Sequence, residues 1–323
     1  MTHAIRVHEY GGPEALHWEP FDAGQPGPGQ VRLRQTAIGL NFIDVYHRTG
    51  LYKQSLPFVP GSEGAGVVEV VGAGVTEVQV GDRVGYAAVI GAYAESRLIS
   101  ADRLVPLPDS IDDRTAAAML LQGLTAQYLL FQVYRVQPGD TILVHAAAGG
   151  VGLILAQWAA ALGVEVIGTV STDEKAELAR ANGCKHVIVY TREDFAARVL
   201  EITDGRKLPV VYDGTGRDTF MKSLDCLRPR ALMVSYGQSS GAIPPLDVVT
   251  LSVKGSLYLT RPTLGTFTAL RANLLSMADD LFDAVESGSV RIAVNQTYAL
   301  RDVAQAHRDL EARRTTGSTV LLP

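Results

Sequence analysis

The segment His145-Ala146-Ala147-Ala148-Gly149-Gly150-Val151-Gly152 constrains the fold more than any other part of the chain. Laid on the dinucleotide fingerprint G-x-G-x-x-G, it has Ala147 at the first glycine place and Gly149 and Gly152 at the second and third. A glycine at the second place lets backbone approach a pyrophosphate, and one at the third lets a helix pack close on a strand. The flanks carry as much weight as the glycines. Thr141 to Ala147 reads as a strand, Gly150 to Leu162 as a helix and Glu165 to Ser171 as a second strand. A helix opening at Gly150 would aim unsatisfied N–H groups and its positive dipole end at phosphates. The competing reading is a tight structural turn with no ligand.

The alternation continues. Asp112 to Val133 has a helical pattern, and Asp173 to Ala181 reads as a helix capped by Thr172 or Asp173. Strands are expected at His186 to Tyr190, Pro209 to Asp213, Ala231 to Tyr236 and Ser256 to Thr260. Strands alternating with helices imply a doubly wound parallel sheet. Before Asp109 the texture differs. Val31 to Ala37 alternates apolar and polar residues, and Gly64 to Val71, Asp82 to Tyr86 and Ala94 to Ile99 look similar. Glycine and proline turns separate them, which suggests a compact β-barrel-like unit. A helix at Leu300 to Ala312 and a strand at Ser318 to Leu322 suggest that the tail returns to this first unit.

A length of 323 residues suits two domains, and 47% hydrophobic with 20% charged residues is a globular balance. The net charge of −5, without a basic run, counts against nucleic-acid binding. Two cysteines, Cys184 and Cys226, are too few for a disulfide framework or a four-cysteine zinc lobe, and a reducing cytoplasm is the natural setting. Met1 to Gly12 has charges and no apolar core, unlike a secretory signal. Gly149 to Gly168 nears transmembrane length, but Gln157, Glu165 and the glycines argue for a buried strand–helix–strand passage.

NAD-selective folds place an acidic residue about 20 positions after the fingerprint begins, on the ribose 2′-hydroxyl. Here the second strand ends Gly168-Thr169-Val170-Ser171, without a carboxylate. Asp173 and Glu174 suit the first turn of a helix instead. Lys175 and Tyr190 are placed to meet a 2′-phosphate, so NADPH is the expected cofactor. The bland readings are a solvated helix lysine and an ordinary strand end.

Taken together, further motifs resemble the zinc-free quinone oxidoreductases of the medium-chain dehydrogenase/reductase superfamily, the zeta-crystallin-like NADPH:quinone reductases, and bacterial members above all. These are Gly39-Leu40-Asn41-Phe42-Ile43-Asp44-Val45-Tyr46, Gly61-Ser62-Glu63-Gly64-Ala65-Gly66, Gly81-Asp82-Arg83-Val84 and Gly123-Leu124-Thr125-Ala126. The fingerprint, Ser235 to Gly241 and Gly255 to Pro262 complete the set, and the resemblance runs from Gly11 to the terminal strand. It implies an α/β fold, with a GroES-like β-rich catalytic domain (1–123 and 263–323) and a Rossmann NADPH-binding domain (124–262), the active cleft lying between them. It also implies that Asn41, Tyr46 and Thr125 line the nicotinamide pocket with Tyr128 nearby, and that Gly150 and Val151 lie on the pyrophosphate. Ser171, Lys175 and Tyr190 belong to the adenosine end, and Gly237, Gln238, Ser239, Ser240, Thr260 and Arg261 to the nicotinamide side. Arg313 matches the family's C-terminal arginine near the 2′-phosphate, with Arg314 beside it as the alternative register.

Alcohol dehydrogenases of the superfamily carry a Cys near Asn41 and a Gly-His-Glu where this chain has Gly61-Ser62-Glu63. A catalytic zinc needs three protein donors, and Glu63, even with His47 close in sequence, does not supply them, so no metal is expected. Catalysis would then rest on aligning the nicotinamide with an electron-poor acceptor. Asn41 can donate to a developing oxyanion, and Tyr46 or Tyr52 can donate a proton or stack on a ring. The bland readings are a turn residue and loop aromatics. Ser62 and His145 read as framework. Quinone reduction is the expected activity. Reduction of activated C=C bonds in enones or alkenals is the alternative, and a non-catalytic nucleotide- or RNA-binding protein is the alternative from another class. Relatives pair through the edge strand of the Rossmann sheet, here Gly255 to Thr260. An unpaired edge bearing Leu257, Tyr258 and Leu259 would be a liability that a symmetric homodimer covers.

Overall fold

The structure is a computed structural model that describes residues 2–323, and these form two compact units. One takes in the described residues up to Leu124, with Thr268–Asp279 and Ile292–Pro323; the other is Thr125–Phe267 with Asp280–Arg291.

In the first unit β1 (Thr2–Arg6) pairs antiparallel with β2 (His17–Phe21). The long β3 (Gln30–Leu40) leads into α1 (Phe42–Arg48), followed by β4 (Glu63–Val71), β5 (Arg83–Ala87), β6 (Ser96–Ser100) and β7 (Val105–Pro106). β3 pairs with both β4 and β6, β5 continues from β4, and β7 from β5, all antiparallel. Period-two patterning buries Val31 and Leu33 of β3 while Arg34 faces water. Leu33, Ile38, Val84, Tyr93 and Leu104 sit in one core. Two short helices follow, α2 (Asp113–Ala117) and α3 (Leu120–Tyr128), the last four residues of which belong to the second unit.

The second unit alternates without exception up to its sixth strand. β8 (Thr141–Val144), α4 (Gly150–Ala161), β9 (Glu165–Val170), α5 (Asp173–Ala181), β10 (Cys184–Val189) and α6 (Phe195–Ile202) make its first half. β11 (Leu208–Asp213), α7 (Phe220–Ser223), β12 (Leu227–Ser235), α8 (Val249–Val253) and β13 (Tyr258–Thr260) make the second. The six strands are parallel in the order β10-β9-β8-β11-β12-β13. This is the dinucleotide-binding order, with its switch point between β8 and β11. The central strands are apolar on both faces, as a sheet covered by helices requires: Ile142, Leu143, Val144, Val210 and Val211 are fully buried.

After α9 (Leu264–Phe267), α10 (Arg271–Glu286) has residues in both units. β14 (Val294–Ala299), α11 (Val303–Glu311) and β15 (Ser318–Leu322) close the chain, with β15 antiparallel to β3 and β14 parallel to β15.

Several expected boundaries shift, each for a physical reason. The single helix expected over Asp112–Val133 is α2, a break at Ala118, α3 and a wider turn at Leu129–Val133. At the break, the carbonyl of Ala118 accepts from Ser318 Oγ (2.7 Å) and the N–H of Leu121 donates to Glu63 Oε1 (2.7 Å), so tertiary partners take helical valences. β8 stops at Val144, not Ala147, because Ala146 turns the chain with a φ of 54°. β13 is only Tyr258–Thr260; Ser256 has a φ of 54°, and Leu257 points into the core rather than onto the edge.

Candidate functional site

The phosphate loop is pinned from both sides. The N–H of His145 donates to the Tyr212 carbonyl (3.0 Å) and that of Ala147 to the Thr169 carbonyl (3.1 Å). The His145 ring is fully buried between Thr169 Oγ1 and Ser223 Oγ, each 2.8 Å away, which makes it framework. α4 opens with Gly149 as its cap, at φ −84° and ψ 173°, with no side-chain cap bond. The first-turn N–H groups of Gly150, Val151 and Gly152 therefore have no acceptor of the helix's own. A Cβ on Gly152 would stand 2.3 Å from the Ala146 carbonyl oxygen, whereas one on Gly149 would meet nothing nearer than 3.3 Å. Helix–strand packing demands the third-place glycine. It presses far less on the second.

The other strand ends of this unit collect the adenosine-side residues. Ser171 follows β9, and its carbonyl accepts from Thr191 Oγ1 (3.0 Å). Thr172 caps α5 by accepting the Lys175 N–H (3.3 Å), which puts Lys175 in the first turn. Tyr190 follows β10, donates its N–H to the Val170 carbonyl (3.1 Å) and packs on the core. Asp173 is gripped by Arg192 through two bonds of 2.7 and 2.5 Å, and this guanidinium holds its carboxyl below the usual range. Arg192 escaped the sequence reading, since a lone arginine after a strand carries no motif.

The loop after β12 is equally constrained. A Cβ on Gly237 would meet the Gly214 carbonyl oxygen at 2.6 Å. The N–H groups of Ser239 and Ser240 donate to the carbonyls of Gly214 (3.2 Å) and Thr215 (2.8 Å), with Gln238 between them and Gly237 in the chain. Beyond Thr260, Arg261 donates to Ser235 Oγ (2.9 Å) and to the Gly237 carbonyl (2.8 Å). Tyr128 stacks on Phe267 with ring centroids 4.4 Å apart. Burial holds its phenol well above the usual range, against a hydrogen bond with Thr125 and the charge of Arg261. Thr125, Tyr128, Arg261 and Gly237 thus form one cluster.

In the first unit, Tyr46 and Tyr52 pack ring to ring at 5.1 Å, just after Asn41 at the start of α1. Asn41 is held on three sides. Its N–H donates to Asp44 Oδ2 (2.9 Å), its Nδ2 donates to Glu63 Oε2 (2.7 Å), and its Oδ1 accepts from Gln122 Nε2 (3.2 Å). Glu63 and Asp44 are both fully buried. Burial pushes the Glu63 carboxyl up to about 8, against hydrogen bonds from Asn41 and Leu121. It pushes Asp44 up to about 6, against bonds from Asn41, Tyr93 and Ser62. Behind Asp44, Tyr93 Oη donates to its Oδ2 (2.9 Å) and accepts from His307 Nε2 (3.0 Å). His307 Nδ1 accepts from Arg48 (3.1 Å), which grips Glu311 with two 2.9 Å bonds. His307 is neutral in this chain of donors, and burial together with Arg48 holds it down to about 3. Sequence alone reads Ser62 as framework and Glu63 as an insufficient metal donor, and gives no partner role to Asp44, Tyr93, Gln122 or His307. The one available signal was polar residues inside apolar helical runs.

Arg313 follows α11 at a φ of 59°, while its neighbour Arg314 is paired with Asp309 at 3.2 Å. Among the described residues, no three His, Cys, Asp or Glu side chains could jointly hold a metal ion. Both cysteine thiols are buried, which pushes each up to about 12. Among the described residues, no helix is long and apolar enough to cross a membrane.

Two family models match the chain: the alcohol dehydrogenase GroES-like domain at residues 27–109 and the zinc-binding dehydrogenase at 150–278. The chain is 55% identical to a quinone oxidoreductase of Pseudomonas aeruginosa, with all of both sequences covered. It is 49% identical to a 2-haloacrylate reductase of a Burkholderia species, covering 100% of this chain and 99% of that one. Among solved structures, an Escherichia coli quinone oxidoreductase complexed with NADPH superposes with a TM-score of 0.98 at 46% identity, covering 99% of this chain and 100% of that one.

Proposed function

From the premise that the chain belongs to the quinone oxidoreductases of the medium-chain dehydrogenase/reductase superfamily, we propose that it reduces quinones at the expense of NADPH. The observation that carries this reading is its full-length likeness to quinone oxidoreductases, one of them complexed with NADPH. The loop geometry fits that cofactor: Gly149 leaves room for a pyrophosphate, and α4 aims free N–H groups at it. The end of β9 fits as well, having no carboxylate at Ser171 and a lysine in the next helical turn.

NADPH supplies the hydride when bound. The chain's residues do the rest. Gly149, Gly150, Val151 and Gly152 hold the pyrophosphate; Ser171, Lys175, Tyr190 and Arg313 hold the 2′-phosphate end. Thr125, Tyr128, Thr260, Arg261 and the loop Gly237 to Ser240 orient the nicotinamide. The second Nδ2 hydrogen of Asn41, left over after the bond to Glu63, donates to the acceptor's developing oxyanion. Tyr46 and Tyr52 stack on the ring or return a proton. The domain limits follow the same reading, 1–123 with 263–323 catalytic and 124–262 binding the cofactor. A cytoplasmic setting suits the reduced cysteines. A homodimer forms through β13, whose Tyr258 and Leu259 are exposed at the sheet edge; Leu259→Asp should then sediment as a monomer.

The test is NADPH oxidation at 340 nm with 1,4-benzoquinone and, separately, with a simple enone. NADPH-dependent quinone turnover supports the reading, and turnover of the enone alone replaces it with C=C reduction. Asn41→Ala should lower quinone turnover with NADPH binding nearly unchanged.

A further inference from the structure

We infer that Glu63 and Gln122 are positioning residues that fix which way the Asn41 amide faces. The inference rests on the reading of Asn41 as the donor to the reacting oxygen. A terminal amide turned by 180° exchanges a donor for an acceptor, so Asn41 can serve only if that turn is blocked. Three linked observations block it. Glu63 is fully buried, and its two oxygens accept from the Leu121 N–H (2.7 Å) and from Asn41 Nδ2 (2.7 Å). Gln122 presents Nε2 to Asn41 Oδ1 at 3.2 Å. The Oε1 of Gln122 lies 2.6 Å from Ser318 Oγ, whose single hydrogen is shared with the Ala118 carbonyl (2.7 Å). While Glu63 is ionised, polarity therefore runs one way, from Gln122 through Asn41 to a carboxylate that accepts at both oxygens. Turning Asn41 over would set its oxygen against the Glu63 carboxylate and its amino group against that of Gln122, leaving buried groups unpaired. The remaining Nδ2 hydrogen is the single donor left, and its direction is set. Gly39 makes the clamp possible, since a Cβ there would stand 2.3 Å from Glu63 Oε2 and 2.2 Å from the Ala117 carbonyl oxygen.

Glu63→Gln keeps the shape but cannot accept from both partners, and Gln122→Leu removes the donor to Oδ1. Steady-state kinetics with benzoquinone, and NADPH titration by fluorescence, are measured for both, alone and in an Asn41→Ala background. Each single variant should lose about tenfold to a hundredfold in kcat, with the NADPH dissociation constant and KM within twofold. In the Asn41→Ala background neither should cost anything further. A loss that persists undiminished in that background, or an unchanged kcat, overturns the positioning role. If Glu63→Gln does not fold, Gln122→Leu decides alone. An Asn41→Ala enzyme with the wild-type rate sinks the donor reading itself, which is a separate result.

Discussion

Alanine at Gly152 and alanine at Gly149 should do opposite things, and the structure says by how much. At position 152 the new Cβ lies 2.3 Å from the Ala146 oxygen, 2.8 Å from Ala147 Cα and 2.9 Å from its carbonyl carbon. All three are backbone atoms pinned by the bonds to β9 and β11, and the nearest is roughly 1 Å inside comfortable contact. Overpacking of this kind costs about 1–3 kcal/mol, here at the upper end because nothing flexible can give. Alanine's better helix propensity offsets up to about 1 kcal/mol. The net loss of about 2 kcal/mol should lower Tm by about 4–8 °C. At position 149 the backbone is extended, at φ −84°, and the nearest atom, the Ala146 oxygen, is 3.3 Å away, so alanine needs a shift of only a few tenths of an ångström. Tm should fall by no more than about 3 °C, chiefly through a poorer cap. Its methyl occupies the space through which a pyrophosphate approaches, so the NADPH dissociation constant should rise at least about tenfold, or about 1.4 kcal/mol. Calorimetry without ligand and NADPH fluorescence titration measure the two effects. Equal Tm losses would refute the packing argument, and wild-type NADPH affinity in Gly149→Ala would refute the assignment of the loop to phosphate.

Lys175→Ala should weaken NADPH by about tenfold to a hundredfold, the worth of a charge-assisted hydrogen bond, while NADH changes less than twofold; equal weakening removes Lys175 from phosphate recognition. Glu63 holds its proton more tightly when folded (about 8 against an ordinary 4.5), so its contribution to stability declines as pH rises from about 4.5 to 8. Glu63→Gln does not titrate, so its Tm relative to wild type should climb from pH 5 to pH 8, and a constant difference refutes the assignment. The Arg48 side chain is 1% exposed and that of Glu311 34%. Glu311→Ala strands a buried cation and should cost about 3–5 kcal/mol in urea unfolding. Arg48→Met leaves a carboxylate that water reaches and should cost less; the reverse order would show that Arg48 is not desolvated in solution.

The second unit was legible because its signals are local. The fingerprint, the period-two and helical runs, and the glycines around them sit within a few residues of one another. They predict β8, α4, β9 and α5 to within three residues at any end. The residues assigned to phosphate and adenosine, Arg313 apart, come from the same stretch or the strand after it. The first unit was legible in its strands and not in its wiring. Asp44 and Gln122 look like ordinary polar positions of short helices until Ser62, Tyr93, Asn41 and Ser318 are seen to bond to them.

The sequence by itself determined that a parallel nucleotide-binding sheet forms, since strand, glycine turn and helix are each encoded by neighbours and need no distant partner. Tertiary structure decided where the helix expected over Asp112–Val133 breaks, because Ser318 and Glu63 claim the Ala118 carbonyl and the Leu121 N–H from 200 and 58 residues away. It also decided which way Asn41 faces. A buried polar group must be paired, and its partner can lie anywhere in the chain, so the pairing is settled only when the fold closes.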